Sequence, residues 1–122
     1  MEHRNFKPFG SISSLTLGGG GIGNVWGGTS RKEAIETVNL AYESGINHFD
    51  VAPMYGRGEA EKVIGMALKN KQLEDINITT KCRLGNPKDS KVYDVLNDSL
   101  CRSLETMELE KVNLFLLHSQ LI

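Results

Sequence analysis

Gly45-Ile46-Asn47-His48-Phe49-Asp50-Val51-Ala52-Pro53-Met54-Tyr55-Gly56-Arg57-Gly58 is the stretch on which the fold turns. Ile46–Asp50 is short and partly apolar, and it ends in a carboxylate. That pattern suits a strand running out of a buried sheet into a polar rim. Val51–Gly58 holds a proline and two glycines, the composition of a loop, and carries a phenol at Tyr55. Helices are predicted on both sides. Upstream, Ser30-Arg31-Lys32-Glu33 has the spacing of a capping box, in which the hydroxyl takes a backbone N–H and the glutamate reaches back. Ile35, Val38, Ala41 and Tyr42 follow at helical spacing, and Gly45 closes the helix as a left-handed cap. Downstream, Val63, Ile64, Ala67 and Leu68 share one face of a second helix.

Further out the same alternation continues. Leu15-Thr16-Leu17 reads as a short strand ending in the glycine run 18–23. Before it, Arg4–Ser14 reads as a hairpin arm turning around Pro8-Phe9-Gly10-Ser11. Ile76–Lys81 is β-branched and alternating, a third strand. Leu84-Gly85-Asn86-Pro87 breaks the chain, and a long helix is expected from about Asp89 to Leu109, with Val92, Val95, Leu96, Leu100, Leu104 and Met107 as its stripe. Val112–His118 is nearly continuous apolar chain, which predicts a strand buried on both faces. Four strands alternating with three helices argue a parallel α/β sheet.

Composition narrows the function classes. The 122 residues contain 39% hydrophobic and 24% charged side chains, the balance of a globular domain. Lys+Arg number 14 against 15 Asp+Glu, a net charge of −1, so no basic excess points to nucleic acid or an anionic membrane. The first residues lack the apolar core of a secretion signal, and a cytoplasmic location is expected. Cys82 and Cys101 have neither redox nor metal-ligand spacing and read as two reduced thiols. The histidines at 3, 48 and 118 show no ligand spacing, so no metal is expected.

Three of the predicted strands end in polar groups: Asp50, Lys81 and His118. Equivalent ends of parallel strands lie side by side on one rim, where ligands bind. Tyr55 leaves the same rim in the loop after Asp50. Carboxylate, ammonium, phenol and imidazole then converge although far apart in sequence. A free phenol releases its proton only near pH 10, and an ammonium beside it favours the phenolate. Such a set suits a carbonyl that takes hydride on carbon and a proton on oxygen. Side chains supply no hydride, so a nicotinamide cofactor is required. Each member also has a plain structural reading: a solvated lysine, a turn-capping aspartate, a packed tyrosine, a hydrogen-bonded histidine. His48, two residues before Asp50, shares its face and reads as a bystander.

The stretch 45–58, continued by Glu61-Lys62-Val63-Ile64-Gly65-Met66-Ala67-Leu68, resembles the signature of the aldo/keto reductases. Leu15-Thr16-Leu17-Gly18-Gly19-Gly20 is similar to that family's first strand and loop, Thr79-Thr80-Lys81 to its third-strand motif and Leu116-Leu117-His118 to its fourth. The resemblance implies a (β/α)₈ TIM barrel that binds NADP(H), or NAD, without a Rossmann domain. It implies Tyr55 as general acid/base, tuned by Lys81 and Asp50, with His118 positioning a small-molecule carbonyl substrate. Asp50, near the nicotinamide ribose, and Gly20 are the cofactor-binding candidates. Trp26, in the first loop, is read either as lining the substrate pocket or as packing over the barrel mouth. Ala60 stands where many relatives have serine, and Ser119-Gln120 where an aromatic–proline pair is common.

A full barrel takes about 250 residues. Residues 1–122 therefore read as the N-terminal half of such a barrel, an incomplete domain of four parallel strands, three helices and a hairpin arm. The expectation is that this half is inactive alone and depends on a complementary C-terminal half or on self-association, because only closure removes open sheet edges. Two other readings fit parts of the sequence. One is a non-catalytic nucleotide-binding or regulatory module on the same scaffold. The other is a Rossmann-type domain, since Gly18-x-Gly20-x-x-Gly23 with Asp50 matches the dinucleotide fingerprint. The latter needs a helix opening directly from the glycines, whereas Asn24–Gly28 intervenes before the capping box.

Overall fold

The fold was described from a computed structural model, in which residues 1–7 and 9–119 are placed. Pro8, inside the predicted arm turn, and Gln120 lie outside the described residues. The arm is an antiparallel hairpin of β1 (His3–Phe6) and β2 (Gly10–Ser13). A parallel four-stranded sheet follows, in the order β3 (Leu17–Gly18), β4 (His48–Asp50), β5 (Asn77–Cys82) and β6 (Leu114–Leu117). The connections carry helices α1 (Arg31–Glu43), α2 (Glu59–Leu68) and α3 (Val92–Met107).

Local sequence explains the helix limits. Ser30 Oγ accepts from the Glu33 N–H at 3.2 Å, and Glu33 Oε2 accepts from the Ser30 N–H at 2.9 Å, so the predicted capping box is present. At the other end of α1, Ile46 N donates to Ala41 O at 3.0 Å and Gly45 N to Tyr42 O at 2.9 Å, the paired bonds of a Schellman motif. The long third helix is shorter than expected. Asp89–Lys91 form a 3₁₀ turn, and α3 ends with Glu108 in the left-handed region, φ 53°. There the backbone closes by the same Schellman bond, Leu109 N to Leu104 O at 3.0 Å.

The helices pack on one face of the sheet. Phe49 and Ile78, paired in register across β4 and β5, point into this layer and meet Val38 of α1 and Val63, Ile64 and Leu68 of α2. Phe49, Val38, Val63 and Ile64 are fully buried. Each such side chain stabilises the fold by about 1.5–3 kcal/mol. Met107 carries α3 into the same core. The opposite face presents His48, Asp50, Thr79 and Lys81, because side chains alternate along a strand.

The strands differ from expectation at their ends. Leu15 and Thr16 are outside β3, which pairs with β4 only through Leu17 and Gly18. The predicted fourth strand is confined to Leu114–Leu117, and it is not buried on both faces: Leu116 is 38% and Leu117 39% exposed. β6 is an edge of the sheet, so no further strand covers it among the described residues. The glycine run does not open a helix. It forms turns through Asn24, and α1 starts only at Arg31, so the backbone cradle of a Rossmann fingerprint is not built. Cys82 is buried in β5 and Cys101 is exposed on α3, both free. No helix among the described residues is long and apolar enough to cross a membrane.

Candidate active site

Parallel register places the predicted residues on one rim. Asp50 is the last residue of β4, Lys81 lies one residue before the end of β5, and His118 directly follows β6. Asp50 pairs with Thr79, so Lys81 stands two residues further along the same face. Its side chain bends back to donate to Asp50 Oδ1 and, at 2.9 Å, to Val51 O. Lys81 is 8% exposed. A buried ammonium is costly unless paired, and here a carboxylate and a carbonyl both hold it.

Tyr55 completes the group. Lys81 Nζ lies 5.0 Å from the centroid of the Tyr55 ring, within cation–π range. The His118 ring meets the Tyr55 ring edge-on, at 5.8 Å between centroids and 90° between planes. The His118 backbone N–H donates to Cys82 O at 2.7 Å, which ties the residue to the end of β5. Its Nδ1 is buried without a hydrogen-bond partner among the described residues. Four polar side chains from three strand ends and one loop therefore stand in a continuous row: Asp50, Lys81, Tyr55, His118.

The Tyr55 loop is held by a close backbone approach. Gly56 has φ 66°, and a Cβ there would collide with the Gly23 carbonyl. A Cβ on Gly23 would likewise stand 2.8 Å from Tyr55 O. The glycine-dense first loop thus lies directly against the loop that carries Tyr55. Arg57 follows in the left-handed region, φ 54°, a conformation that strains a residue with a Cβ. Gly20 is buried under the Trp26 ring, where a Cβ would stand 2.7 Å from Cη2. Trp26 itself is 81% exposed. The ring covers the first loop, and the groove beside Lys81 and His118 is lined by other residues.

Three residues that sequence reasoning left without a role support this row. His48 bridges two hydroxyls on the face below Asp50, Thr16 Oγ1 at 2.9 Å and Thr79 Oγ1 at 2.8 Å. Burial holds its pKa below the ordinary imidazole value; Asp50 raises it and Lys81 lowers it, both less strongly. Thr80 Oγ1 donates to Glu61 Oε1 at 2.7 Å, fully inside the protein. This bond ties the strand of Lys81 to the helix that follows Tyr55. The available signal was Glu61 itself, a carboxylate on the apolar side of α2 between Ala60 and Val63.

For a nicotinamide cofactor, the open acceptor oxygen of Asp50 fits a ribose. Lys81 takes Asp50 Oδ1, the Asp50 side chain is 38% exposed, and Oδ2 makes no hydrogen bond among the described residues. A sugar hydroxyl can donate to that oxygen.

Comparison with known proteins gives the family. The sequence profile of the aldo/keto reductase family matches residues 14–120. Aldo-keto reductase YhdN of Bacillus subtilis (strain 168) is 31% identical over 97% of this chain and 38% of its own length. L-galactose dehydrogenase of Arabidopsis thaliana is 32% identical over 88% of this chain and 34% of its own. Among solved structures, the holo form of aldo-keto reductase AKR11C1 from Bacillus halodurans superimposes with a TM-score of 0.78 at 26% identity, covering 99% of this chain and 41% of that one. The chain belongs to the aldo/keto reductase family, and its sheet and helices are a partial TIM barrel, the first four βα strands with three helices. It spans somewhat over a third of the length of the curated relatives it matches.

Proposed function

We propose that the chain is the N-terminal, catalytic half of a nicotinamide-dependent reductase of aldehydes and ketones. NADP(H) is the cofactor proposed, with NAD as the alternative; when bound it supplies the hydride. The observation that carries this reading is the row Asp50–Lys81–Tyr55–His118, with the Lys81 ammonium held by Asp50 and 5.0 Å from the Tyr55 ring centroid.

The residues divide the remaining work. The Tyr55 hydroxyl gives its proton to the carbonyl oxygen, and takes one back in the alcohol-oxidising direction. Lys81 stabilises the phenolate left behind, a cation beside a forming anion. Asp50 holds the ammonium in place. His118 donates to the carbonyl oxygen and orients it toward Tyr55. Asp50 Oδ2 takes a ribose hydroxyl, and the first loop around Gly20, with Trp26 packed over it, borders the cofactor.

Among the described residues, β3 and β6 are open edges of the parallel sheet. We therefore assign the chain's activity to an assembly with four further βα units or with another copy. The chain alone, given NADPH and a panel of aldehydes, is expected to show no turnover. Mixed with a separately expressed C-terminal half of a full-length relative, it is expected to consume NADPH. NADPH binding by that mixture without any turnover would favour a non-catalytic nucleotide-binding module instead.

A further inference from the structure

A groove of about 320 Å³ leaves the catalytic rim outward between α2 and α3. Its inner end is Lys81 and His118; its walls include Arg57 from the Tyr55 loop, Arg83 just past β5, and Arg102 of α3. Among the described residues, none of the three guanidiniums pairs with a carboxylate, whereas Arg4, Arg31, Lys69, Lys81 and Lys91 all do. The single carboxylate lining the groove, Glu61, is buried and accepts from Thr80.

The groove's α3 wall repeats small hydroxyls at helical spacing, Ser99, Ser103 and Thr106. Helical hydroxyls commonly donate to the carbonyl four residues back. Thr106 does so to Arg102 O at 2.8 Å, and Thr37 to Glu33 O at 2.8 Å. Ser103 does not. It is 1% exposed, and its Oγ has no hydrogen-bond partner among the described residues. Buried polar atoms without partners are rare enough to call for an explanation. Three guanidiniums line the groove without a carboxylate partner among the described residues, Arg102 Nε donating only to the Asp98 carbonyl at 3.3 Å, and this donor-rich wall beside the buried Ser103 hydroxyl matches an oxyanion with its several acceptor lone pairs.

We propose that this groove is an oxyanion subsite for the phosphate or carboxylate tail of the substrate. The subsite itself stands on the groove, while the ligand's being a carbonyl compound rests on the reductase reading above. The anionic tail lies between α2 and α3 while the carbonyl reaches Tyr55.

The test needs no turnover. The 122-residue chain is melted in inorganic phosphate and in acetate, each against chloride at equal ionic strength. A saturable rise in Tm is expected with at least one of the two anions, and the stronger of them identifies the tail. Arg83→Gln with Arg102→Gln, both at exposed positions, is expected to weaken that anion's affinity by at least about tenfold, and Ser103→Ala to weaken it less. Arg4→Gln, in the hairpin arm, leaves it unchanged. No saturable shift with either anion, or an undiminished shift in the double variant, overturns the proposal. Anion binding without turnover in the reconstituted enzyme leaves the subsite standing and removes the reductase reading instead.

Discussion

Asp50 does two jobs with two oxygens. Oδ1 holds Lys81, and Oδ2 stays open toward the rim. Asp50→Asn keeps the shape but removes the charge that holds the ammonium, so Lys81 becomes a buried cation without its counter-ion. Breaking a buried pair in this way costs about 3–5 kcal/mol; discounted for the 38% exposure of Asp50, a loss of about 1–2 kcal/mol is expected in urea denaturation. Lys81→Met/Asp50→Asn together should cost less than the sum of the single changes. His48 gives a pH signature. Its pKa is lowered in the fold, chiefly by burial, so the unfolded chain binds a proton that the folded chain refuses. Stability is then whole above the unfolded value, near 6.5, and falls as pH drops from there toward the folded value. The melting temperature should decline over that range, and His48→Gln should flatten the decline. A slope unchanged by the substitution would assign it to other groups.

At the scale of elements, what was legible and what was not have separate causes. Asp50, Lys81 and His118 were legible because parallel strands bring their C-terminal ends to one rim whatever the loops do. The capping box at Ser30 was legible because it is a contact between residues three apart; Ser30→Ala should cost about 1 kcal/mol of stability in chemical denaturation. The Thr80–Glu61 bond was hidden because it joins a strand residue to a helix residue, and nothing in either local pattern names the other. The exposure of β6 is not written in its sequence, because a run of apolar residues states what a strand would bury, not what covers it. A further long-range contact sits between helices. A Cβ on Gly65 would stand 2.5 Å from Met107 O, so α2 and α3 touch through a residue without a side chain. Gly65→Ala would gain helix propensity worth about 1 kcal/mol, yet it forces the two backbones apart at a cost of about 1–3 kcal/mol. A net loss of Tm is expected; a gain would mean that the helices separate freely.

The whole molecule is a four-stranded parallel sheet with three helices, its candidate site on one rim. Its core lies between sheet and helices and is continuous from Ala34 to Met107, so the helical side is well covered. The two edge strands, β3 and β6, have no further strand beside them among the described residues. Unpaired strand edges template association. The 122-residue chain alone should therefore sediment as dimers or larger species, and a monodisperse monomer would contradict that expectation. The central claim concerns chemistry, and the most direct measurement is kinetic. The chain is joined in frame to the last four βα units of a full-length relative, and NADPH consumption is followed with an aldehyde. The hybrid is expected to turn over, and Tyr55→Phe to lower kcat by about 10²–10⁴-fold with NADPH binding retained. A Tyr55→Phe hybrid as fast as its parent would remove the phenol from the reaction, and the proposed proton path with it.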